Sequence, residues 1–246
     1  MTRSKTHIEV SLVVPAYNEE ARIPASLLEI FTYFDTQPYA WELIVVDDGS
    51  RDATADLVLR EAKIAGAPVN LMRNETNYGK GFSVKRGVLA ASGENIFFTD
   101  ADLSTPIDEI STCLPLLKNV DVVVGSRALS KSNITLHQPL HRETMGRAFN
   151  ALVQAIVIRG IKDTQCGFKG FTKLAAHETF KRTRLNGFGF DVEALYIANK
   201  LGSSILEVPI TWCDSVASRV SPVKDGLGML GDLARIRLND AKGYYE

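Results

Sequence analysis

The sequence predicts an α/β domain built on a doubly wound, mostly parallel sheet with helices on both faces. Five apolar runs rich in β-branched residues alternate with four segments of helical spacing, an order typical of repeated β-α units. The runs are continuous rather than alternately apolar and polar, which favours strands buried on both faces. The predicted strands lie at residues 10–14, 43–46, 69–72, 96–99 and 120–124. The predicted helices lie at residues 24–34, 53–65, 81–91 and 106–117.

The second half of the chain is less regular and predicts amphipathic helices beside polar loops. A helix at residues 143–158 follows a polar segment, and a loop is predicted at residues 163–170. At residues 225–241 the apolar side chains fall on one stripe of a helix, with arginines beside it. No internal repeat, low-complexity stretch or linker divides the sequence, so we expect a single domain over residues 1–246.

Composition limits the class of protein. The 246 residues are 45% hydrophobic and 23% charged, which is enough apolar material for one substantial core. The formal net charge of −1 gives no general attraction for nucleic acid, so no nucleic-acid partner is expected. The three cysteines are widely spaced and fit neither a disulfide framework nor a zinc site, so we expect three reduced core residues.

Neither a secretory signal nor a membrane span is predicted. The first seven residues are polar and basic, without the apolar stretch that such a signal requires. The longest uncharged stretch, residues 148–158, is far shorter than the roughly 20 apolar residues that span a bilayer. We therefore expect a cytoplasmic protein that is not secreted and that meets a membrane only peripherally.

The first predicted strand ends in a segment that suits a nucleotide. Pro15 stops the strand and is followed by Ala16, Tyr17 and Glu19. The ring of Tyr17 could stack on a base, or the whole segment could be an ordinary turn into a helix. Ligands bind at the carboxyl ends of strands in sheets of this kind, so both readings stay open for this segment.

Two further strand ends carry polar residues with two readings each. Asp47 and Asp48 follow the second strand and could accept hydrogen bonds from a base or ribose, or could satisfy loop amides. Lys80 lies between two glycines, the second of them Gly81, just before a helix whose exposed amides would favour a phosphate. That signal is weak by itself, because the pattern is not a P-loop and no Gly-x-Gly-x-x-Gly fingerprint follows the first strand.

The segment Asp100, Ala101, Asp102 is the sharpest chemical feature. An apolar strand ends in two acids separated by one small residue, and along an extended chain both carboxylates would point to the same side. Mg²⁺ and Mn²⁺ favour one or two carboxylates together with phosphate oxygens and water. The sequence therefore predicts that Asp100 and Asp102 approach one divalent metal, or one metal and a ribose, with the metal beside a diphosphate.

Taken together, these motifs resemble family 2 glycosyltransferases of the GT-A type. The matching segments are VVPAYNE at 13–19, VVDDGSRD at 45–52, NYGKG at 77–81, DAD at 100–102, GSR at 125–127, DTQCGFKGF at 163–171, GFDVE at 189–193 and SRVSP at 218–222. The later segments look like the branch that acts on dolichyl phosphate, with the glucosyl members closer than the mannosyl ones. The resemblance implies a Rossmann-like GT-A fold with a nucleotide-sugar-binding half at about residues 8–125 and an acceptor-binding half at about 126–246.

The resemblance also implies roles for the residues of the donor site. Pro15, Ala16, Tyr17 and Glu19, with Asp47 or Asp48, would surround the nucleoside, and Lys80 and Gly81 would line the same pocket. Asp100, Ala101 and Asp102 would meet the sugar diphosphate and its Mg²⁺ or Mn²⁺, with Asp102 as the first direct ligand. Ser104 stands where mannosyl relatives often carry glutamine, which puts a third protein ligand in doubt.

The implied reaction is inverting transfer of a hexose, favouring glucose from UDP-glucose, to a polyprenyl phosphate. Gln165 and Asp191 would lie near the donor sugar in the same picture. The acceptor phosphate is already a nucleophile and needs cationic guides rather than a base. The candidate guides are Arg127, Arg142, Lys169 and Arg219, and the expected catalytic residues are Asp100, Asp102, Asp191, Arg127 and Lys169.

Several alternatives remain open on the sequence. The donor could be GDP-mannose, and the acceptor could be a saccharide or small-molecule hydroxyl, for which Asp191 would be the general base. A nucleotidyltransferase or a non-catalytic nucleotide-sugar-binding domain would use similar residues. Residues 148–158 and the tail helix could lie against a bilayer, pack in the core or form a homo-oligomer contact.

Overall fold

The first half of the chain folds as repeated β-α units. The computed structural model describes residues 7–136, 140–214 and 222–246. The strands are β1 (Val10–Ala16), β2 (Trp41–Asp47), β3 (Val69–Arg73), β4 (Asn95–Phe98) and β5 (Val122–Ser126). The helices are α1 (Ile23–Asp35), α2 (Thr54–Ala65), α3 (Lys80–Ala90) and α4 (Glu109–Cys113). All five predicted strands are therefore confirmed, and their ends differ from the predictions by a few residues.

The fourth predicted helix is shorter than the sequence suggested. Instead of one helix over 106–117, a turn leads into α4, which passes into a 3₁₀-helix at Leu114–Lys118. Pro115 explains the change, because it has no N–H to donate to the α-helical ladder at that point.

The second half adds an antiparallel strand that the sequence did not predict. Its elements are β6 (Asn133–Leu136), α5 (Leu140–Ile156), β7 (Lys169–Thr172), α6 (Lys173–Phe180), α7 (Phe190–Lys200), β8 (Ile205–Pro209), β9 (Thr211–Cys213) and α8 (Pro222–Ala241). The predicted helices at 143–158 and 225–241 correspond to α5 and α8. The predicted loop at 163–170 is wrong at its end, because Lys169 and Gly170 already belong to β7.

The central sheet has seven strands in the order β3-β2-β1-β4-β7-β5-β8. Neighbours pair in parallel except at β7, which runs antiparallel between β4 and β5. The mostly parallel sheet is therefore confirmed. A small second sheet pairs β6 with β9.

Helices cover both faces of the sheet, which explains the continuous apolar runs. Along β1, Val13 packs into one hydrophobic cluster, whereas Leu12 and Val14 pack into the other. The first cluster joins the sheet to α3, α6, α7 and α8, and the second joins it to α1 and α4. Every side chain of β1 from Val10 to Val14 is at most 1% exposed, as a strand covered on both faces requires.

Two of the three cysteines lie in the core, as expected, and none forms a disulfide. Cys113 and Cys166 are buried, and burial raises the pKa of the Cys166 thiol to about 11, so it is neutral at physiological pH. The expectation of a core position is wrong for Cys213, which is exposed. Its strand β9 belongs to the small two-stranded sheet rather than to the central one.

Candidate active site

The candidate site lies where the strand order of the central sheet reverses. β2 and β3 lie on one side of β1, and β4 lies on the other, so the loops after β1 and β4 leave in different directions and open a crevice. The loop after β1 is fastened to the loop after β2. Asn18 has φ +52° and donates its backbone N–H to Ser50 Oγ at 2.8 Å, and the Glu19 N–H donates to Thr54 Oγ1 at 2.7 Å. These bonds fix the position of the segment that carries Tyr17.

The Asp100–Asp102 segment is a turn, not an extended chain. The Leu103 N–H donates to the Asp100 carbonyl at 3.1 Å, and Leu103 has φ +46°. The geometric reason given for two carboxylates on one side is therefore wrong, because alternation applies only to extended backbone. A left-handed conformation is uncommon for leucine and marks a backbone constrained by its surroundings.

Asp100 forms an ion pair with Lys80 at the start of α3. The Lys80 Nζ lies 2.5 Å from Asp100 Oδ1 and 5.8 Å from the centroid of the Phe190 ring. Burial opposes ionisation of Asp100, but the positive charge of Lys80 outweighs it and holds the Asp100 pKa below its usual range. Burial likewise opposes the charge on Lys80, and the Asp100 carboxylate reverses that effect and raises the Lys80 pKa. Both groups are therefore charged at neutral pH.

Asp102 is held by its own turn and by an arginine that the sequence reasoning missed. Ser104 donates its N–H and its hydroxyl to Asp102 Oδ1 at 3.2 and 3.0 Å. Arg22 Nη1 lies 3.4 Å from Asp102 Oδ2. The guanidinium of Arg22 also donates through Nε and Nη2 to both oxygens of Glu19, each at 2.7 Å. The sequence feature that could have identified Arg22 is its position three residues after Glu19, at the start of a helix.

The two acids suit a divalent metal only in combination with a substrate. In the described ranges, no group of three or more His, Cys, Asp or Glu side chains could hold a metal ion by itself. Asp100 and Asp102 offer hard carboxylate oxygens, and their side chains are 38% and 19% exposed. Mg²⁺ and Mn²⁺ commonly take this few protein ligands when phosphate oxygens and water complete the shell. The residues present therefore fit such an ion.

Asp47 and Asp48 satisfy loop amides, which was one of their two possible roles. Asp47 accepts from the Ser50 N–H at 3.0 Å and from Arg73 Nε at 3.2 Å. Asp48 accepts from the Gly79 N–H at 2.8 Å and holds Tyr78 and Asn74 by further bonds. Both acids are nearly fully buried. Asp48 thereby fixes the loop that presents Lys80.

Two amides at the N-terminus of α3, where the sequence suggested a phosphate site, already have a partner in the protein. The N–H groups of Gly81 and Phe82 donate to the Asn186 carbonyl at 2.7 and 3.3 Å. A side chain at residue 81 would overlap Phe190 and the backbone of the same loop, so only glycine fits there. A distant loop therefore already engages two of the amides that the sequence suggested for an anion, those of Gly81 and Phe82.

Lys169 and Asp191 form a buried ion pair beneath the site. The Lys169 Nζ donates to Asp191 Oδ1 at 2.5 Å and to the Cys166 carbonyl at 2.6 Å, and it lies 5.4 Å from the centroid of the Phe98 ring. The side chains of Lys169 and Asp191 are 0% and 5% exposed. Asp191 lies in the first turn of α7. The structure thus brings these two predicted residues together and keeps the ammonium below the surface.

Arg127 is anchored by an acid that the sequence reasoning did not select. Its Nε and Nη2 donate to the two oxygens of Asp163 at 2.7 and 2.8 Å, and its backbone N–H donates to the same carboxylate. Burial opposes the charge on Arg127, but Asp163 outweighs that effect and raises the Arg127 pKa. Arg127 is 30% exposed and lies 5.3 Å from the ring centroid of Trp212. In the sequence, only its place in the motif at residues 163–171 could have pointed to Asp163 as a site residue.

The other predicted residues are half-buried or buried, except that the side chain of one arginine and the whole of another lie outside the described residues. Pro15 and Tyr17 are half-buried beside the crevice. Gln165 is half-buried, with its Nε2 at 3.8 Å from the Met229 sulfur on α8. The side chain of Arg142 and the whole of Arg219 lie outside the described residues. Ala16 and Ala101 are buried, with exposed fractions of 3% and 6%, respectively.

Comparison with protein families gives a match over most of the chain. Residues 11–180 match the model described as glycosyl transferase family 2. The chain is 36% identical over 242 residues to the dolichyl-phosphate beta-glucosyltransferase of Drosophila melanogaster, covering 93% of this chain and 74% of that protein. It is 33% identical over 252 residues to the enzyme of the same name from Dictyostelium discoideum, covering 98% of this chain and 77% of that protein.

Comparison with solved structures identifies the fold. Glucosyl-3-phosphoglycerate synthase from Mycobacterium tuberculosis, solved with Mn²⁺, UDP-glucose and phosphoglyceric acid, superposes with a TM-score of 0.68 at 20% identity. The match covers 93% of this chain and 79% of that one. The fold is therefore of the GT-A type, as the sequence motifs implied. Among the helices in the described ranges, none combines the length and apolar character that crossing a bilayer requires.

Proposed function

The chain belongs to glycosyl transferase family 2, and from that membership we propose that it transfers glucose from UDP-glucose to a dolichyl-type polyprenyl phosphate with inversion at the anomeric carbon. The named relatives act as dolichyl-phosphate beta-glucosyltransferases, and the GT-A neighbour was solved with UDP-glucose. We further propose that residues 8–125 bind the donor and that residues 126–246 bind the acceptor.

The observation that carries the proposal is the acid pair at the switch point of the sheet. Asp100 and Asp102 lie in one turn after β4, and each is accompanied by a cation, Lys80 or Arg22. Carboxylates and cations in such a crevice suit a metal-bound diphosphate, which carries charges of both signs. An arrangement of this kind favours departure of a nucleoside diphosphate.

The donor half would stabilise the leaving group. Asp102, with Asp100, would hold Mg²⁺ or Mn²⁺, which when bound stabilises negative charge on the departing diphosphate. Lys80 keeps Asp100 ionised and adds positive charge beside it. Asp48 and the Asn186 carbonyl fix the backbone on both sides of Lys80, so its ammonium is preorganised and needs no large movement.

Asp191 would orient the donor sugar, and Lys169 would act through it. The Lys169 ammonium is fully buried and already pairs with Asp191. We therefore assign Lys169 a positioning role in place of direct contact with the acceptor phosphate. Held in this way at the start of α7, Asp191 has a defined orientation towards sugar hydroxyls.

The acceptor half would hold a phosphate that is already a nucleophile. Asp163 fixes the Arg127 guanidinium through two of its nitrogens, and the remaining N–H groups can donate to a phosphate. Arg142 and Arg219 stay candidates for the same task. No general base is needed when the attacking atom is a phosphate oxygen.

One face of α5 suits contact with a lipid surface. Met145, Leu152 and Ile156 are 43%, 41% and 44% exposed, and their spacing places them on one side of the helix. Exposed Arg147 and Arg159 lie near this face in sequence, and such a combination suits an interface. We propose that the protein binds peripherally to a cytoplasmic membrane surface, and three cysteines without a disulfide agree with that compartment.

A nucleoside diphosphate release assay tests the proposed reaction. Purified protein with Mg²⁺ or Mn²⁺ is given UDP-glucose or GDP-mannose, with and without vesicles that contain polyprenyl phosphate, and flotation of the same vesicles measures binding. We expect lipid-dependent UDP release and a β-linked product. Asp102→Asn should lower turnover by at least about a hundredfold, because the charge that holds the metal is lost.

The control for charge is Asp56→Asn, an exposed acid in the first turn of α2. It should leave turnover unchanged. GDP release in place of UDP release would overturn the donor, and release stimulated by a saccharide but not by lipid would overturn the acceptor. An α-linked product would refute inversion. Binding of donor without any turnover would favour a non-catalytic domain.

A further inference from the structure

Arg22 links the segment after β1 to the acid pair after β4. It occupies the N-cap position of α1 and lies between Glu19 and Asp102. Its side chain is 25% exposed, and those of its two acidic partners are 11% and 19% exposed. A cation therefore lies directly against the carboxylate proposed to be the main metal ligand.

The contacts of Arg22 with Glu19 and with Asp102 differ in strength. With Glu19 it forms two parallel bonds of 2.7 Å, which is the strong, bidentate geometry of an arginine–carboxylate pair. Its Nη1 lies 3.4 Å from Asp102 Oδ2, a long and therefore weaker hydrogen bond than the two to Glu19. The guanidinium is thus anchored by Glu19, and Asp102 can exchange Arg22 for another cation without breaking that anchor.

Two cations already lie against the acids of the site before any ligand binds. Glu19, Asp100 and Asp102 carry three negative charges, and Lys80 and Arg22 carry two positive ones. A divalent cation that entered alone would add two positive charges beside two existing cations, and these would repel it. A nucleoside diphosphate that entered with the metal would offset the positive charge of the metal and would give Arg22 a second anionic group to face.

We propose that Arg22 couples metal binding to diphosphate binding, so that the metal alone is excluded and the metal with a nucleoside diphosphate is accepted. This inference rests on the proposed function of the same site. In the ligand-free protein the guanidinium faces Asp102, and in the complex the same guanidinium, still held by Glu19, faces the diphosphate. The coupling is reciprocal, so the metal strengthens nucleotide binding by the same factor.

The coupling is measured as the ratio of two dissociation constants for Mn²⁺, without and with saturating UDP, by electron paramagnetic resonance of free Mn²⁺. Arg22→Gln should bind Mn²⁺ alone about tenfold more tightly than the wild type, since a repelling charge is removed. In this variant the Mn²⁺ dissociation constant without UDP, divided by the one with UDP, should therefore fall by about the same factor or more. Arg22→Lys keeps the charge and loses the paired bonds to Glu19, so it should continue to exclude the metal alone.

Arg60→Gln is the matched control, because it removes one arginine charge at an exposed position in α2. It should leave both constants unchanged, and circular dichroism checks that each variant is folded. This inference alone would be overturned if folded Arg22→Gln bound Mn²⁺ without UDP no more tightly than the wild type, while the wild type bound Mn²⁺ in the presence of UDP. Absence of Mn²⁺ binding by all variants even with UDP would overturn the metal part of the proposed function as well.

Discussion

Removing Lys169 should destabilise the protein far more than replacing the whole Lys169–Asp191 pair. The pair is buried at 0% and 5% exposure, and the lysine also donates to the Cys166 carbonyl. Lys169→Met would leave the Asp191 carboxylate in the interior without its partner. The double variant Lys169→Met and Asp191→Leu would remove both charges and would keep apolar volume in the same place.

The expected size follows from the burial of the pair. Breaking a buried ion pair by removing one partner costs about 3–5 kcal/mol, because an uncompensated charge remains. For a domain of this length, such a loss lowers Tm by roughly 6–20 °C. The double variant should recover most of that loss, since replacement of both charges by apolar groups is often neutral or stabilising.

Urea denaturation and thermal unfolding measure the stability of the wild type and both variants, and glucosyl transfer is assayed in parallel. We expect the double variant to be stable and inactive, which would separate the function of Asp191 from its contribution to the fold. A loss below about 1 kcal/mol in Lys169→Met would refute the reasoning, because the charge left behind would then have found water or another partner. Activity in the double variant would refute the role proposed for Asp191.

Two further perturbations test the loop around Lys80 and the buried acid Glu193 in the first turn of α7. Gly79→Ala should lower the free energy of unfolding by several kcal/mol and should lower activity, because φ is +108° and the new methyl group would overlap the Asn186 carbonyl. The control is Gly66→Ala, where φ is +64° and the space is open, and it should lower the free energy of unfolding by about 1 kcal/mol. Urea denaturation measures both. Glu193 is buried and accepts the Tyr245 hydroxyl at 2.6 Å, and burial raises its pKa in the folded state. A raised pKa means that the folded protein binds more protons, so this group's contribution to stability should fall as pH rises from the unfolded pKa through the folded one. The unfolding free energy of the wild type minus that of Glu193→Gln, measured by denaturation, should therefore decrease as pH rises from 4 to 8. A difference that stays constant over this range would contradict the expectation.

Local patterns were sufficient for the five parallel strands and for the place of the ligand site. A continuous run such as that of β1 can be buried on both faces only under helices, and its carboxyl end then lies at the ligand edge. The same reasoning located Asp100 and Asp102 at the end of β4. It missed β7, because Lys169 to Thr172 is a short run that includes a lysine and becomes a strand only between β4 and β5.

The sequence by itself therefore determined the layered α/β architecture, the family and the set of chemical groups after the strands, since periodicity and short motifs are local properties. Only the tertiary structure decided the partner of each group. Lys80 meets Asp100, Arg22 meets Asp102, and the amides at the start of α3 meet the Asn186 carbonyl. Such pairs join residues far apart in the chain, and which carboxylate a cation satisfies depends on packing that no local pattern records.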